Sequence, residues 1–390
     1  MQSSQLSAAN GHCTRVASPM KKILLHVGTH KTGSTSIQQT LFKNREVLQE
    51  NDIHYLNFGS NHWHLYSAFM AKPWDWFEHK RMGRDKASVE ELNERTLRDV
   101  TQEISSSGCN NIVISSEYLA QLPRKGIARM RDYLAELGEV TVVYYCRELI
   151  SWISSDSQQC AKVGMKDKPT TYEVAIKRLY DFPLNYIDIF GLENFRLVRF
   201  EDAIKQGLCN SLLLQGNLPR IEQLGLAESA VNASISAEAV NAFFVLNRIH
   251  PLFGDTRSES IAQTLKGMPG RSYRVNQLTR EQVNDCNKKM RYMRSKFKFP
   301  MYDKLRLEFE SGGDEFYSDE AIAYLLNAFN AKNVNHEKLV SETRALKKQA
   351  KAAIHQVRES RANGESVNAE EVFLNVLESM ARFPLRDFSS

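Results

Sequence analysis

No stretch of this sequence approaches the roughly 18 consecutive apolar residues of a membrane-spanning helix. That excludes a chain threaded through a bilayer by helices. Residues 1–19 are polar and hold no apolar core, so a secretory leader is not expected there. Met20-Lys21-Lys22 reads as the working start, behind a disordered extension. Cysteines are few and scattered: Cys13, Cys109, Cys146, Cys160, Cys209 and Cys286 include no C-x-x-C pair. They read as reduced structural thiols in a reducing compartment. A strong charge of one sign is also missing. The formal net charge of +5 is mild and dispersed, which suits an anionic cofactor or an acidic substrate but does not call for nucleic acid. No internal repeat and no low-complexity tract occurs. His62-x-His64 has no third ligand nearby, so no metal is expected. These absences leave a soluble, cytoplasmic, globular protein, with ordinary apolar (42%) and charged (25%) fractions.

Four short apolar runs read as buried strands: Lys22–Val27, Asn111–Ser115, Val140–Cys146 and Phe195–Phe200. Their β-branched and aromatic content, without strict alternation, suits a parallel sheet covered on both faces. Helical patterns separate them: Ser34–Glu50, with Ile37, Leu41 and Leu48 on one face; Glu90–Ser106, stopped by Gly108; Arg124–Leu137, ended by Gly138; and Leu149–Lys162. Strands alternating with helices predict right-handed crossovers and an α/β layer fold. Beyond residue 235 the patterns are helical: Ala237–Ile249, Arg280–Phe297, Glu320–Asn330 and the charged Lys338–Arg361. Gly312-Gly313 and Asn363-Gly364 are breakers between them. Residues 335–390 read as a helical appendage open to self-association.

In a parallel sheet, ligands bind beyond the carboxyl ends of the strands. The first strand runs into Val27-Gly28-Thr29-His30-Lys31-Thr32-Gly33-Ser34-Thr35-Ser36 and then a helix. Backbone N–H groups at a helix start, a lysine and several hydroxyls make a socket for a phosphate-like anion. Gly28 and Gly33 have the spacing of the nucleotide-triphosphate loop G-x-x-x-x-G-K-[ST], but Ser34 stands where its lysine belongs, and Lys31 comes two residues before the glycine. Ser116-Glu117, Arg147 and Glu201-Asp202 follow the other strands and complete one rim, with Asp202 read as the cap of the next helix.

Lys31-Thr32-Gly33-Ser34-Thr35 resembles the K-[ST]-G-[ST]-[ST] loop of sulfotransferases that use 3′-phosphoadenosine-5′-phosphosulfate (PAPS). Arg147, at a strand end, and Ser155, eight residues on, resemble that family's 3′-phosphate motif, although Leu149 stands where proline is frequent. Eight residues is a little over two helical turns, which puts both groups on one face. Softer likenesses are Ile114–Leu119, Phe195–Asp202 and the late loop Lys266–Arg271. The resemblance implies a P-loop NTPase-like parallel sheet flanked by helices over residues 20–334, with a helical C-terminal extension. It implies transfer of a sulfuryl group from PAPS to an acceptor hydroxyl, on a saccharide, without a metal. Lys31 would neutralise the bridging oxygen; Lys31, Thr32, Gly33, Ser34, Thr35 and Ser36 would hold the 5′-phosphosulfate; Arg147 and Ser155 would hold the 3′-phosphate.

The candidates for the general base are Glu117, His62 and His64. The aromatics Trp63, Tyr66, Phe69, Trp74, Trp76 and Phe77 would line an acceptor cleft or form a small separate core. Two other readings stay open: a P-loop kinase or nucleotidase, and a sulfotransferase-like domain kept only for binding.

Overall fold

The computed structural model describes residues 20–229, 234–249, 259–275, 278–302, 304, 305, 320, 321 and 324. The N-terminal extension, the helix Lys338–Arg361, the appendage and both late breakers lie outside the described residues.

Five parallel strands form one sheet: β1 (Lys21–His26), β2 (Ile53–Tyr55), β3 (Asn111–Ser115), β4 (Gly138–Cys146) and β5 (Phe195–Arg199), in the order β2-β3-β1-β4-β5. The four expected strands are all present. β2 is the addition: three residues at an edge are too few for a periodic pattern, and its pairing with β3 defines it. The sheet is covered on both faces, as the unbroken apolar runs require. Ile23, Leu25, Ile114, Val142 and Tyr144 belong to one core cluster, while Leu24, Val113, Val143 and Tyr145 pack with Ile37 and Leu41 in another. The side chains of β1 thus alternate between two buried layers.

The expected helix Ser34–Glu50 is two helices, Ser34–Lys43 and Arg45–Glu50. Asn44 interrupts it, with its side-chain amide donating back to the Thr40 carbonyl at 2.8 Å, the local competition that makes asparagine a poor interior residue. The helix Lys86–Ser106 begins earlier than its apolar pattern because Asp85 caps it, accepting from Ser88 N at 2.9 Å. Asp202 is not a cap. It lies inside the first turn of the helix Phe200–Gln206, where a carboxylate favours the helix dipole, and pairs with Arg199 at 3.4 Å.

The sheet order decides the site. β1 is central, with β3 on one side and β4 on the other, in register Leu25↔Ile114 and Leu25↔Val142. The loop after β1 therefore stands between Ser116-Glu117 and Arg147, the residues that follow its two neighbours.

Candidate active site

Between β1 and the helix Ser34–Lys43 the backbone turns twice through the left-handed region, at Lys31 (φ 67) and Gly33 (φ 80). Glycine accepts that conformation freely; lysine does so at a cost of about 1–2 kcal/mol. The turn at Lys31 aims its carbonyl at Arg147, whose Nη1 donates to it at 2.8 Å. Among the described residues, the N–H groups of Lys31 to Thr35 donate to no protein acceptor. Two buried hydroxyls of the same turn, Thr29 Oγ1 and Ser34 Oγ, also lack partners. Unpaired buried donors are costly, so a cluster of them marks a place for a ligand acceptor. Two other hydroxyls are committed: Thr32 Oγ1 donates to the Thr29 carbonyl at 2.6 Å, and Ser36 Oγ donates to the Ser229 carbonyl at 2.7 Å. The free donors of the predicted group are thus the backbone amides, Ser34 and the exposed Thr35.

Lys31 Nζ donates to Gln159 Oε1 at 3.5 Å and has no carboxylate at ion-pair distance among the described residues. Burial, then Lys162 and Arg147, hold its pKa below the usual lysine value, with Asp156 opposing. The ammonium is thus held without a counter-ion, the condition in which an incoming anion gains most.

Arg147 follows β4. Its Nε donates to Ser151 Oγ at 2.8 Å, and its guanidinium lies 4.7 Å from the Phe200 ring centre. Glu148 caps the helix Leu149–Lys162, accepting from Ile150 N and Ser151 N. That fixes the helix relative to Arg147. Ser155 stands one turn beyond Ser151, half-buried, and its hydroxyl makes no hydrogen bond among the described residues. Ser151, Gln159 and Phe200 were not anticipated from the sequence. The i, i+4 series Ser151, Ser155, Gln159 was the available signal.

Glu117 sits at the end of β3 against the loop helix. Its carboxylate accepts from Gln38 Nε2 at 2.7 Å and from Asn61 Nδ2 at 3.1 Å. Burial pushes its pKa up, against the lowering effects of Gln38, Asn61 and Lys31. The two histidines are placed differently. His62 is sealed: its Nε2 bonds the Leu56 carbonyl at 3.1 Å and its Nδ1 accepts from Ser115 N at 3.0 Å. No nitrogen is left to receive a proton from a substrate. His64 stacks on Trp63 at 3.7 Å, in the company of Arg84 and His79. No hydrogen bond or ring contact among the described residues joins it to the loop.

The aromatics pack largely on one another, and Trp76 is buried. Phe69 is core, 3% exposed. Trp63, Tyr66 and Trp76 form a continuous wall that reaches Tyr118, with Trp76 at 5.4 Å and Tyr66 at 5.8 Å from the Tyr118 ring centre. Tyr118 in turn meets His30 edge-on at 4.9 Å, so the wall begins at the loop. The late loop Lys266–Arg271 is anchored by Met268, which shares a core cluster with Ala161, Ala239 and Phe243; in the flanking chain Ile235 N and Val275 N donate to Gln158 and Ser154 of the helix Leu149–Lys162. No group of three or more potential metal ligands occurs among the described residues, and no described helix is long and apolar enough to cross a membrane.

These features define a class: a parallel α/β protein with a donor-rich loop–helix socket at the carboxyl edge of its central strand. The sequence matches no protein-family model and no curated protein. Among solved structures, a crystal structure of a sulfotransferase from Alicyclobacillus acidocaldarius overlaps 63% of this chain and 99% of its own, at 14% identity and a TM-score of 0.33. That overlap is too loose to speak for chemistry, and function is read from the side chains.

Proposed function

We propose that this chain is a sulfotransferase that moves a sulfuryl group from PAPS to an acceptor hydroxyl on a carbohydrate. The observation that carries this reading is the bond from Arg147 to the Lys31 carbonyl. It ties a guanidinium to a phosphate-type socket, and two anion sites held side by side suit a nucleotide with phosphates at both 3′ and 5′. Ser34 in the position of the triphosphate-loop lysine disfavours ATP chemistry.

In this mechanism the acceptor oxygen attacks sulfur in line as the sulfur–oxygen bond to the 5′-phosphate breaks. A sulfate ester forms and adenosine 3′,5′-bisphosphate leaves. Lys31 neutralises charge on the bridging oxygen, and the loop amides hold the 5′-phosphate. Glu117 takes the acceptor proton. The half-buried rings of Tyr118, Tyr66 and Trp63, packed against the buried Trp76, offer partly open faces to a sugar.

Adenosine 3′,5′-bisphosphate without magnesium is expected to raise the melting temperature, and ATP with magnesium is not, because a ligand that binds only the folded state stabilises it. In Arg147→Ala the bisphosphate concentration needed for the same shift should rise about a hundredfold. A response to ATP with magnesium alone would overturn the assignment.

Glu117 also sets the pH dependence. A base must be deprotonated, and its pKa lies above the ordinary carboxylate value, so the rate should fall as pH drops through that raised value. Glu117→Gln should lower kcat by about 10²–10⁴-fold and leave the residual rate flat across that limb. An unchanged acid limb in Glu117→Gln would move the base elsewhere.

A further inference from the structure

His30, beside the proposed lysine, is only partly claimed by the fold. Its carbonyl accepts from Trp152 Nε1 at 2.8 Å, and its ring meets Tyr118 edge-on at 4.9 Å with an interplanar angle of 87°. Backbone and ring plane are therefore both held. The ring nitrogens differ. Nδ1 is buried and without a partner, whereas Nε2 is not sealed and makes no hydrogen bond among the described residues.

That asymmetry selects a tautomer. A proton on Nδ1 would be a buried donor with nothing to accept it, and orphaned buried donors are rarer than under-used acceptors. The proton therefore belongs on Nε2, which makes the open nitrogen a donor. The charged groups facing the ring are Arg178, Asp156 and Lys31. Burial, then Arg178, with Lys31 adding and Asp156 opposing, hold the pKa down to about 3. The imidazole is neutral throughout the working range, which makes it a poor base but a serviceable hydrogen-bond donor beside a cation.

Resting on the sulfotransferase reading, we infer that His30 donates from Nε2 to an oxygen of the sulfuryl group as that group leaves the 5′-phosphate. Its place in the chain supports this. It precedes Lys31, the residue assigned to the bridging oxygen, and it opens the aromatic wall along which the acceptor would lie. A fixed neutral donor stabilises charge spreading onto the sulfuryl oxygens without competing for the acceptor proton.

Two variants separate this role from packing. His30→Phe keeps a ring against Tyr118 and removes the donor. His30→Gln restores an N–H at the distance of Nε2. Three measurements are made on the full chain. The first is the thermal shift with adenosine 3′,5′-bisphosphate, which carries no sulfuryl group. The second is the slow cleavage of PAPS by water, in which water adds to sulfur, sulfate and the bisphosphate form, and a proton goes to solvent. The third is the ¹⁵N spectrum of the His30 ring.

The bisphosphate shift should be the same in all three proteins. His30→Phe should slow PAPS cleavage about a hundredfold, with His30→Gln recovering to within about tenfold of wild type. The ring proton should be found on Nε2. Cleavage at the wild-type rate in His30→Phe would overturn the inference, as would a proton on Nδ1. Loss of the bisphosphate shift in His30→Phe would make the residue a support for the loop only. A wild-type protein that ignores the bisphosphate would overturn the sulfotransferase reading, and this inference with it. A normal bisphosphate shift with unchanged cleavage in the variants would remove this inference alone.

Discussion

On the proposed sulfotransferase reading, Lys31→Ala is expected to slow sulfuryl transfer from PAPS about a thousandfold, the scale on which a preorganised charge stabiliser acts in a water-poor site. The reason is the lysine's setting. Its ammonium is partly buried, has two cationic neighbours and meets only the neutral amide of Gln159 at 3.5 Å. No carboxylate must be displaced before it meets the ligand, so its full charge is available as the sulfur–oxygen bond opens. The same setting makes it a burden to the free protein. Removing an unpaired, partly desolvated cation should leave the melting temperature unchanged or raised. The bisphosphate thermal shift should persist, because the loop amides and Arg147 remain. Single-turnover cleavage of PAPS, with melting curves on the same sample, checks all three. Transfer within threefold of wild type would move the charge-stabilising role to another group.

Gly33→Ala should do most damage to stability. Gly33 has φ +80, and a Cβ there would stand 2.4 Å from Leu208 Cδ1 and 3.2 Å from Phe200 Cε2. The left-handed backbone and the overpacking together cost roughly 2–5 kcal/mol. For a chain of this size that is a fall in melting temperature of roughly 5–15 °C. Binding should suffer as well. The Phe200 ring pressed by the new methyl is the ring on which Arg147 rests, and the displaced turn carries the free amides. Thermal denaturation with and without the bisphosphate would measure both losses. A melting temperature within about 2 °C of wild type would mean that the turn relaxes around the methyl.

Much of the frame was legible because it repeats. Four strands and most of the helices announced themselves through apolar runs and helical spacing, and the motif Lys31–Thr35 stood where a strand gives way to a helix. β2 was not legible, since three edge residues carry no period. The break at Asn44 has no periodic signature, because its cause is one side chain folding back on one carbonyl. The base candidates show the limit most clearly. Glu117, His62 and His64 are comparable as letters. What separates them is the filling of both His62 nitrogens, the Trp63 stack under His64 and the place of Glu117 against the loop helix.

Within the motif the letters overstate what is free. All the hydroxyls from Thr32 to Ser36 look equivalent in sequence, yet two are spent on carbonyls of the protein itself. His30 carries no sequence signal of its own, because a histidine beside a lysine has no spacing rule. Only the contrast between a buried, unpartnered Nδ1 and an Nε2 that is not sealed gives it a direction.

Local chemistry sufficed for the sequence by itself to determine the alternation of strand and helix, the burial of the sheet on both faces and the position of a donor-rich turn. These depend on periodicity and on the φ freedom of a few residues, which are properties of neighbours in the chain. The strand order that brings Glu117 and Arg147 to either side of Lys31, the Arg147–Lys31 bond and the asymmetry of His30 belong to the tertiary structure. They join residues far apart in sequence, and hydrogen bonding and desolvation at such contacts depend on which atoms are covered and which find partners.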